Sequence, residues 1–573
     1  MNAYQPRTDD MFFVLSCVLD GPAQLQELPA FDQVDGALMQ QVLGEAGKFV
    51  GEVIAPLNRD GDEIGAQFKD GTVTTPPGFR QAYQAFWQAG WPALSASTQD
   101  GGQGLPAVLE AMLYEMLSAA NHGWTMAPGL LHGAYECIKH HGSDELKAQY
   151  LEKLATGEWL ATMCLTEAHA GSDLGLVRTR AVPLANGRHA LSGTKIFISG
   201  GEHDLTDNIV HLVLARLPDA PPGPRGLSLF VLPKFQPDGT RSAVFCERIE
   251  EKMGLHGSPT CVLRFDAAQA SIIGEPGKGL NAMFVMMNSA RLHVALQGIG
   301  LLDAAWQKAD AYARERRQMR APGKPRGNSS EPDRIADHPA IRRILDSQRA
   351  WVDAGRVLAY RTAIELDQIK HGTQQASAFA QRWCALVTPI VKAIFTHQAF
   401  HGGSDCLQVF GGHGYVREWG IEQNIRDARV AMIYEGTNEI QAIDLLVRKV
   451  LADGGQAMAA LLDSLQADIP AQAGSRGQSL ARIATLRDLT ARIVQATAGN
   501  TALAYQVADD YLRACALVLI DWAWHRIDTS LQADTPERAT RWDAPARALR
   551  LWLLPEFDMR AAIVAQQCTA ATQ

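Results

Sequence analysis

The sequence predicts a mainly α-helical protein with a central β domain, and three observations carry that prediction. Apolar residues recur at helical spacing from about 31 to 160, as in ALMQQVLGEAGKFVGEVIAPL and AVLEAMLYEMLSAANHG. From about 161 the texture changes to short β-branched or aromatic runs bounded by Pro, Asp and Gly, with no helices between them. From about 276 the helical spacing returns and continues toward the C-terminus. A chain of 573 residues is long enough for roughly three to four domains.

In chain order, residues 1–34 read as an N-terminal arm. Its apolar piece in MNAYQPRTDDMFFVLSCVLD is too short and too acidic at its flanks for a secretory signal, and is expected to pack on the body through Met11, Phe12, Phe13 and Leu15. Residues 35–160 form an N-terminal helical domain, and residues 161–275 a middle β domain. In the latter NIVHLVLARL, GLSLFVLPKF and TCVLRFD follow at short intervals, which predicts an antiparallel sheet or small barrel. Residues 276–452 form a C-terminal helical bundle that opens with the long run GLNAMFVMMNSARLHVALQGIGLLDAAWQKADAYARERRQM. APGKPRGNSSEPD, 321–333, is a loop by its Pro, Gly and Ser content. Residues 453–573 add a further helical domain containing WAWHRI and LRLWLLPEF, whose aromatic and Leu residues are expected in the core.

The bulk properties exclude several classes. A net charge of −9 argues against a nucleic-acid surface. No run of about 18 apolar residues exists, so no transmembrane segment is expected. The nine cysteines are scattered without a C-x-x-C, which predicts reduced thiols, no metal site and a cytoplasmic protein. GEPGKGL lacks the phosphate-loop spacing, no G-x-G-x-x-G follows a strand, and His140 and His141 in KHHG read as surface histidines.

Four stretches can carry chemistry. MCLTEAHAGSD, 163–173, offers hydroxyls and turn N–H groups to an anion, or is a plain Ser/Gly/Asp turn. QVFGGHGY, 408–415, has paired glycines that admit close backbone approach, or is a helix–loop junction. YARERRQM, 312–319, places Arg314, Arg316 and Arg317 on a helix, as a phosphate fork or a solvated face. AMIYEGTNEIQ, 431–441, sets Glu435 between apolar residues and Gly436, either as a general base in an apolar pocket or as a loop carboxylate. Asn438 followed by Gln441 suggests a capping box, so Glu435 is expected near a helix N-terminus.

Together and in this order, these stretches resemble the acyl-CoA dehydrogenases over most of residues 35–450. MCLTEAHAGSD and QVFGGHGYVREWGIEQNIRD are similar to the family's two signatures, and TKIFISGG, 194–201, to its flavin-lining segment. The resemblance implies the family's fold: an N-terminal helical domain, a small antiparallel β-barrel and a C-terminal four-helix bundle, here with an extra helical domain. It implies FAD as cofactor, an acyl-CoA substrate and electron-transferring flavoprotein as electron acceptor.

Carried over residue by residue, the resemblance implies that Leu165 and Thr166 meet the flavin ring. Gly171 and Ser172 would meet the pyrophosphate or the CoA moiety, Ser199 would lie near flavin N5, and Phe197 would pack on the ring. Arg316 and Gln318 would reach a partner subunit's FAD, while Gln408, Gly411 and Gly412 would line its adenine and ribose. Thr437 and Glu439 would touch the cofactor, and Arg291, Tyr434 and Gly436 would lie beside the substrate. Glu435 would take the α-proton, its N–H and a ribityl hydroxyl holding the thioester carbonyl; Ala290, beside Arg291, offers no rival base. Phe197, Met319, Gln423 and Leu176 depart from the family's usual residues. KMGLHGSPTCVL and IADHPAIRRIL resemble the long bacterial branch that includes 3-(methylthio)propanoyl-CoA and long- and medium-chain fatty acyl-CoA dehydrogenases, for which a homodimer is expected. An oxygen-using acyl-CoA oxidase and a non-catalytic acyl-CoA-binding scaffold remain as alternatives.

Overall fold

The structure, a computed structural model, describes residues 4–323, 331–471, 474–531 and 536–572. Residues 324–330 of the expected 321–333 loop, and 472–473 of the stretch before the last helical block, lie outside the described residues. The backbone divides into two units. Lys48–Glu110 with Ala120–His293 holds the sheet, and Met1–Gly47, Ala111–Ala119 and Val294–Gln573 make up the helical unit.

In the sheet-containing unit the strands are β1 (Gln67–Lys69), β2 (Thr72–Thr74), β3 (Leu160–Cys164), β4 (Arg180–Pro183), β5 (His189–Ser199), β6 (Ile209–Arg216), β7 (Leu227–Pro233), β8 (Val244–Ile249) and β9 (Thr260–Ile273). β3 to β9 form one sheet in the order β3-β6-β4-β5-β9-β7, with β8 on β9, and β6 pairs with β7 to close it into a barrel. Its pairings are antiparallel except that β3, and β4 at the single pair Arg180–Arg216, run parallel to β6. β6 and β7 are buried almost without a break, as strands covered on both faces must be, which explains why their sequences are continuous apolar runs. Val213, Phe230, Leu263 and Phe265 lie in the barrel's core.

β1 and β2 form a small hairpin inside a stretch whose spacing predicts only helix. Asp70 and Gly71 both take positive φ there, the turn that Asp-Gly favours.

In the helical unit, Pro339–His371 and Gln374–Phe410 form a hairpin, with Thr373 capping the second helix through its hydroxyl. Gly298 and Gly300 let backbones meet: a Cβ would fall 2.6 Å from the Phe395 carbonyl oxygen and 2.4 Å from that of Glu115. The arm is itself a helix, Thr8–Phe13, followed by a turn of wider helix; it buries Met11, Phe13 and Leu15, with Phe12 only half-buried. Trp522 and Trp524 of WAWHRI are buried, and the Trp524 indole donates to the Ala350 carbonyl at 3.1 Å. In LRLWLLPEF, Leu549, Leu553, Leu554 and Phe557 are buried, whereas Leu551 and Trp552 face solvent. Among the described residues no helix is long and apolar enough to cross a membrane.

Two local expectations change. The first long helix ends at Glu315, so Arg314 is helical but Arg316 and Arg317 are not. The chain beyond it is drawn out against residues 333–335: Ile335 N–H donates to the Arg316 carbonyl, and Gln318 N–H to that of Asp333. Asn438 is not the cap of the helix Asn438–Leu445; Thr437 is, its hydroxyl accepting from Ile440 N–H at 3.3 Å. The Asn438 side chain turns inward instead and donates to the Ala393 carbonyl.

A fully buried ionic network fastens this unit. Arg356 donates to Glu115 at 2.7 Å and to Asp303 at 2.9 Å, and Tyr360 donates to the second Glu115 oxygen. Arg349 holds Asp353 at 2.7 Å and Asp10 of the arm at 3.0 Å. Burial alone would raise all four carboxyls; the arginines draw Asp10 and Asp303 below the ordinary range, while burial wins at Glu115 and Asp353. Removing one partner of such a network strands charge in the core. Arg356→Met is therefore expected to lower the stability by about 3–5 kcal/mol in chemical denaturation, and adding Glu115→Gln to recover part of the loss.

Candidate functional site

Leu165, Thr166, Gly171, Ser172, Phe197, Ser199 and Arg291 fall in the sheet-containing unit. Arg316, Gln318, Gln408, Gly411, Gly412 and residues 434–439 fall in the helical unit.

In the first, the chain leaves β3 at Cys164 and runs beside β5, where Ile196 N–H donates to the Thr166 carbonyl at 2.9 Å. The fully buried Lys195 ammonium sits under this junction and donates to the Leu165 carbonyl and a Glu167 oxygen, both at 2.9 Å. Glu167 also accepts from Thr179 Oγ1 at 2.6 Å, from Thr179 N–H at 3.0 Å and from Arg178 N–H at 2.8 Å. Burial pushes the Glu167 carboxyl up, but the Lys195 charge and these donors outweigh it and hold the pKa at about 2. Gly171, Ser172 and Asp173 are exposed, and Asp173 accepts from Gly175 N–H at 2.9 Å, a side-chain turn that fixes the loop beyond them.

Phe197 occupies a bulge between the pairs Lys195–Leu263 and Ile198–Cys261. Its φ is +60°, and 60 % of its surface is exposed. A bulge re-aims a side chain, and an aromatic ring turned to the surface at a disfavoured φ signals a contact outside the chain. The half-buried Ser199 hydroxyl follows two residues on. A flat aromatic face, a hydroxyl and an adjoining backbone loop are donors and surfaces that fit a planar heterocycle. Arg291 is buried and its neighbour Ala290 carries no ionisable group.

In the helical unit, Glu435 also has a left-handed backbone, φ +56°, followed by Gly436 at +82°. Its carboxylate stands in a short connection between the turn Val430–Met432 and the helix Asn438–Leu445. The Tyr434 hydroxyl donates to Gln297 Oε1, and burial with the nearby Glu435 charge raises its pKa. Gln441 Nε2 donates to the carbonyls of Glu435 at 3.0 Å and Gly436 at 3.2 Å. Lys392 Nζ donates to the Gly436 carbonyl at 2.8 Å and to Asn438 Oδ1 at 3.0 Å. Thr437 serves the helix cap, and Glu439 lies exposed in the first turn.

Gln408, Gly411 and Gly412 are exposed where the helix Gln374–Phe410 ends. Gly411 takes φ +58°, ψ −139°, a backbone essentially restricted to glycine. A Cβ on either glycine would meet nothing within 4 Å, so the backbone here is open to a ligand. The turn is braced by Tyr312 stacked on Phe410 at 4.2 Å and His413 stacked on Trp419 at 4.5 Å. Arg316 and Gln318 are exposed, whereas Arg314 pairs with Asp310 at 2.7 Å within its helix. His140 pairs with Glu136 at 3.3 Å, and Gln423 is buried and donates to Asp427 at 3.2 Å. Sequence reasoning missed Lys195, Glu167, Lys392 and Gln441. Glu167, Lys195 and Gln441 lie inside the singled-out stretches, but no local pattern pairs Lys195 with Glu167, 28 residues away, or Lys392 with Gly436, 44 residues away.

Three family models match the chain: Acyl-CoA dehydrogenase, N-terminal domain over residues 39–158, middle domain over 162–268 and C-terminal domain over 277–451. The chain is 44 % identical over 458 residues to 3-methylmercaptopropionyl-CoA dehydrogenase of Ruegeria pomeroyi, covering 79 % of this chain and 77 % of the relative. It is 33 % identical to the broad-specificity linear acyl-CoA dehydrogenase of Mycobacterium tuberculosis, over 88 % of this chain and 83 % of that one. The fold is also that of Bacillus anthracis acyl-CoA dehydrogenase complexed with FAD, at a TM-score of 0.74, 20 % identity and coverage of 97 % and 95 %.

The depressed Glu167 pKa ties the stability of the fold to pH. A carboxylate with a folded pKa near 2 against an ordinary 4.5 stabilises the fold above pH 4.5 and loses that contribution as the pH falls toward 2. Wild type is expected to exceed Glu167→Gln by about 2–3 kcal/mol near neutrality. That gap should close across the acid window, as read from denaturant midpoints against pH.

Proposed function

The chain belongs to the acyl-CoA dehydrogenase family of FAD-dependent oxidoreductases, and on that premise we propose that it converts a saturated acyl-CoA thioester to the trans-2-enoyl-CoA with Glu435 as the base. The observation that carries this reading is the placement of Glu435: a carboxylate on a strained left-handed residue, its main chain gripped by buried donors. Strain of this kind persists only where the surroundings over-determine it, and it gathers at sites where geometry matters.

The α-proton of a thioester is weakly acidic, so the base must be close and the forming enolate oxygen must receive hydrogen bonds. Glu435 takes the proton on a carboxylate oxygen, while its N–H donates to the thioester carbonyl. Tyr434 and Gly436 flank the acyl chain beside it, and Arg291 orients the substrate. In general a carboxylate whose charge is poorly solvated is the stronger base. FAD, when bound, supplies the acceptor for the β-hydride. Leu165, Thr166, Phe197 and Ser199 bind its ring, and Gly171 and Ser172 its pyrophosphate or the CoA moiety. Thr437 and Glu439 touch the cofactor; Arg316, Gln318, Gln408, Gly411 and Gly412 hold its phosphate and adenosine end. The exposure of Arg316 and Gln318 supports their reaching the FAD of a second copy in a homodimer.

The electrons pass to electron-transferring flavoprotein, and the site of action is the cytoplasm. The relative at 44 % identity makes 3-(methylthio)propanoyl-CoA the first thioester to test, with linear fatty acyl-CoAs beside it. Under anaerobic conditions one of these thioesters is expected to bleach the visible flavin band, and the most effective one names the substrate class. Rapid peroxide formation in air would point instead to an oxidase. Glu435→Gln is expected to retain FAD and lose about 10²–10⁴-fold in kcat. Near-wild-type turnover in that variant, measured with an artificial electron acceptor, contradicts the assignment.

A further inference from the structure

Two fully buried polar side chains from different helices converge on the main chain of the Glu435–Gly436 turn. Lys392 comes from the helix Gln374–Phe410, and Gln441 from the helix that follows the turn. The carbonyls of residues 435 and 436 lie on one side of the chain, since both accept from the single Gln441 Nε2, at 3.0 and 3.2 Å. The Gly436 carbonyl takes a second bond from Lys392 Nζ, at 2.8 Å. The same ammonium holds Asn438 Oδ1 at 3.0 Å, where Thr396 also donates at 3.1 Å.

A side chain with a Cβ resists a positive φ, so Glu435 at +56° needs something to keep it there. The amide of Gln441 has one stable orientation, because flipping it would set Oε1 against two carbonyl oxygens. Its Oε1 has no hydrogen-bond partner among the described residues, although the side chain is fully buried. The residue is thus held for its donor side. Gly436 suits the same arrangement: at φ +82° a Cβ would fall 2.8 Å from Gln441 Nε2.

We propose that Lys392 and Gln441 are positioning residues for the dehydrogenation, clamping the carbonyls of Glu435 and Gly436 so that the Glu435 carboxylate is aimed at the substrate's α-carbon. Neither touches substrate; each acts through the backbone of the base. The inference rests on Glu435 being the base, and it adds two groups on which the base's aim depends. Losing either donor lets the left-handed residue relax, and displacement of a reacting group by about 1 Å can lower a rate about 100-fold.

The test uses full-length holoenzyme carrying Gln441→Met or Lys392→Met, mixed anaerobically with whichever saturated acyl-CoA bleaches the wild type. Each variant is expected to keep FAD and to bind the acyl-CoA within about threefold of wild type. The first-order rate of flavin bleaching should fall about 10- to 100-fold, so that the loss appears in kcat and not in KM. The isotope effect from α-deuterated substrate should rise, because proton removal becomes more limiting; a merely structural role would not move it. Bleaching at the wild-type rate with only a lower Tm overturns the proposal, as does an equal loss of binding and rate without a change in isotope effect. If Lys392→Met does not fold, Gln441→Met decides alone. A wild type that no thioester bleaches overturns the reading of the site and the inference with it. A bleached wild type with undiminished variants overturns the inference only.

Discussion

Arg349 and Arg356 lie two turns apart on the helix Pro339–His371, and between them they hold Asp10, Glu115, Asp303 and Asp353. Those carboxylates come from the arm, the segment Ala111–Ala119, the long helix that begins at Gly279 and the arginines' own helix. Once the charges are buried, only an arrangement that meets all of them is tolerable, because each stranded group carries a desolvation penalty of several kcal/mol. The helix so fixed is also one half of the hairpin whose other half carries Lys392. Gln398 donates to Gln348 at 2.7 Å and the Trp383 indole to Thr362 at 3.1 Å, which sets the register between the two halves. The helix that carries Lys392 is thus packed in register against the helix that the ionic network holds.

Lys195 does in the sheet-containing unit what Lys392 does in the helical one. Each is fully buried, and each spends one donor on a main-chain carbonyl next to a residue assigned to the site: Leu165 in one unit, Gly436 in the other. An ammonium suits this use because its three donors can serve several oxygens at once. Both lysines also accompany a left-handed residue, Phe197 two positions after Lys195 and Glu435 immediately before the carbonyl that Lys392 holds.

Much of this was legible in the sequence. Helical periodicity gave the long helices, the continuous apolar runs gave β6 and β7, and TCVLRFD gave the first half of β9. The ordered motifs gave the family, and with it the expectation that Glu435 is the base. What was not legible has definable causes. Thr437 and Asn438 are both good caps, and only the Lys392 and Ala393 contacts decide that Asn438 turns inward. Beyond Glu315 the backbone pairs with residues 333–335 instead, and Arg316 meets Ile335, a partner 19 residues distant. The hairpin β1–β2 turns on Asp70-Gly71, a two-residue signal inside a stretch read as helical throughout. The left-handed Phe197 follows from a register shift against β9, which is a property of the paired strand and not of TKIFISGG. Lys392 carries no mark of its role in the run that contains it.

The central claim is that Glu435 removes the α-proton. It is tested most directly by a thioester that has an acidic α-carbon but no β-hydride to give, such as a 3-thiaacyl-CoA. Incubated with FAD-loaded protein in D2O and followed by NMR, this compound should exchange its α-hydrogens in the presence of wild type and fail to do so with Glu435→Gln. Exchange at the wild-type rate in a Glu435→Gln protein that retains FAD would mean that another group takes the proton.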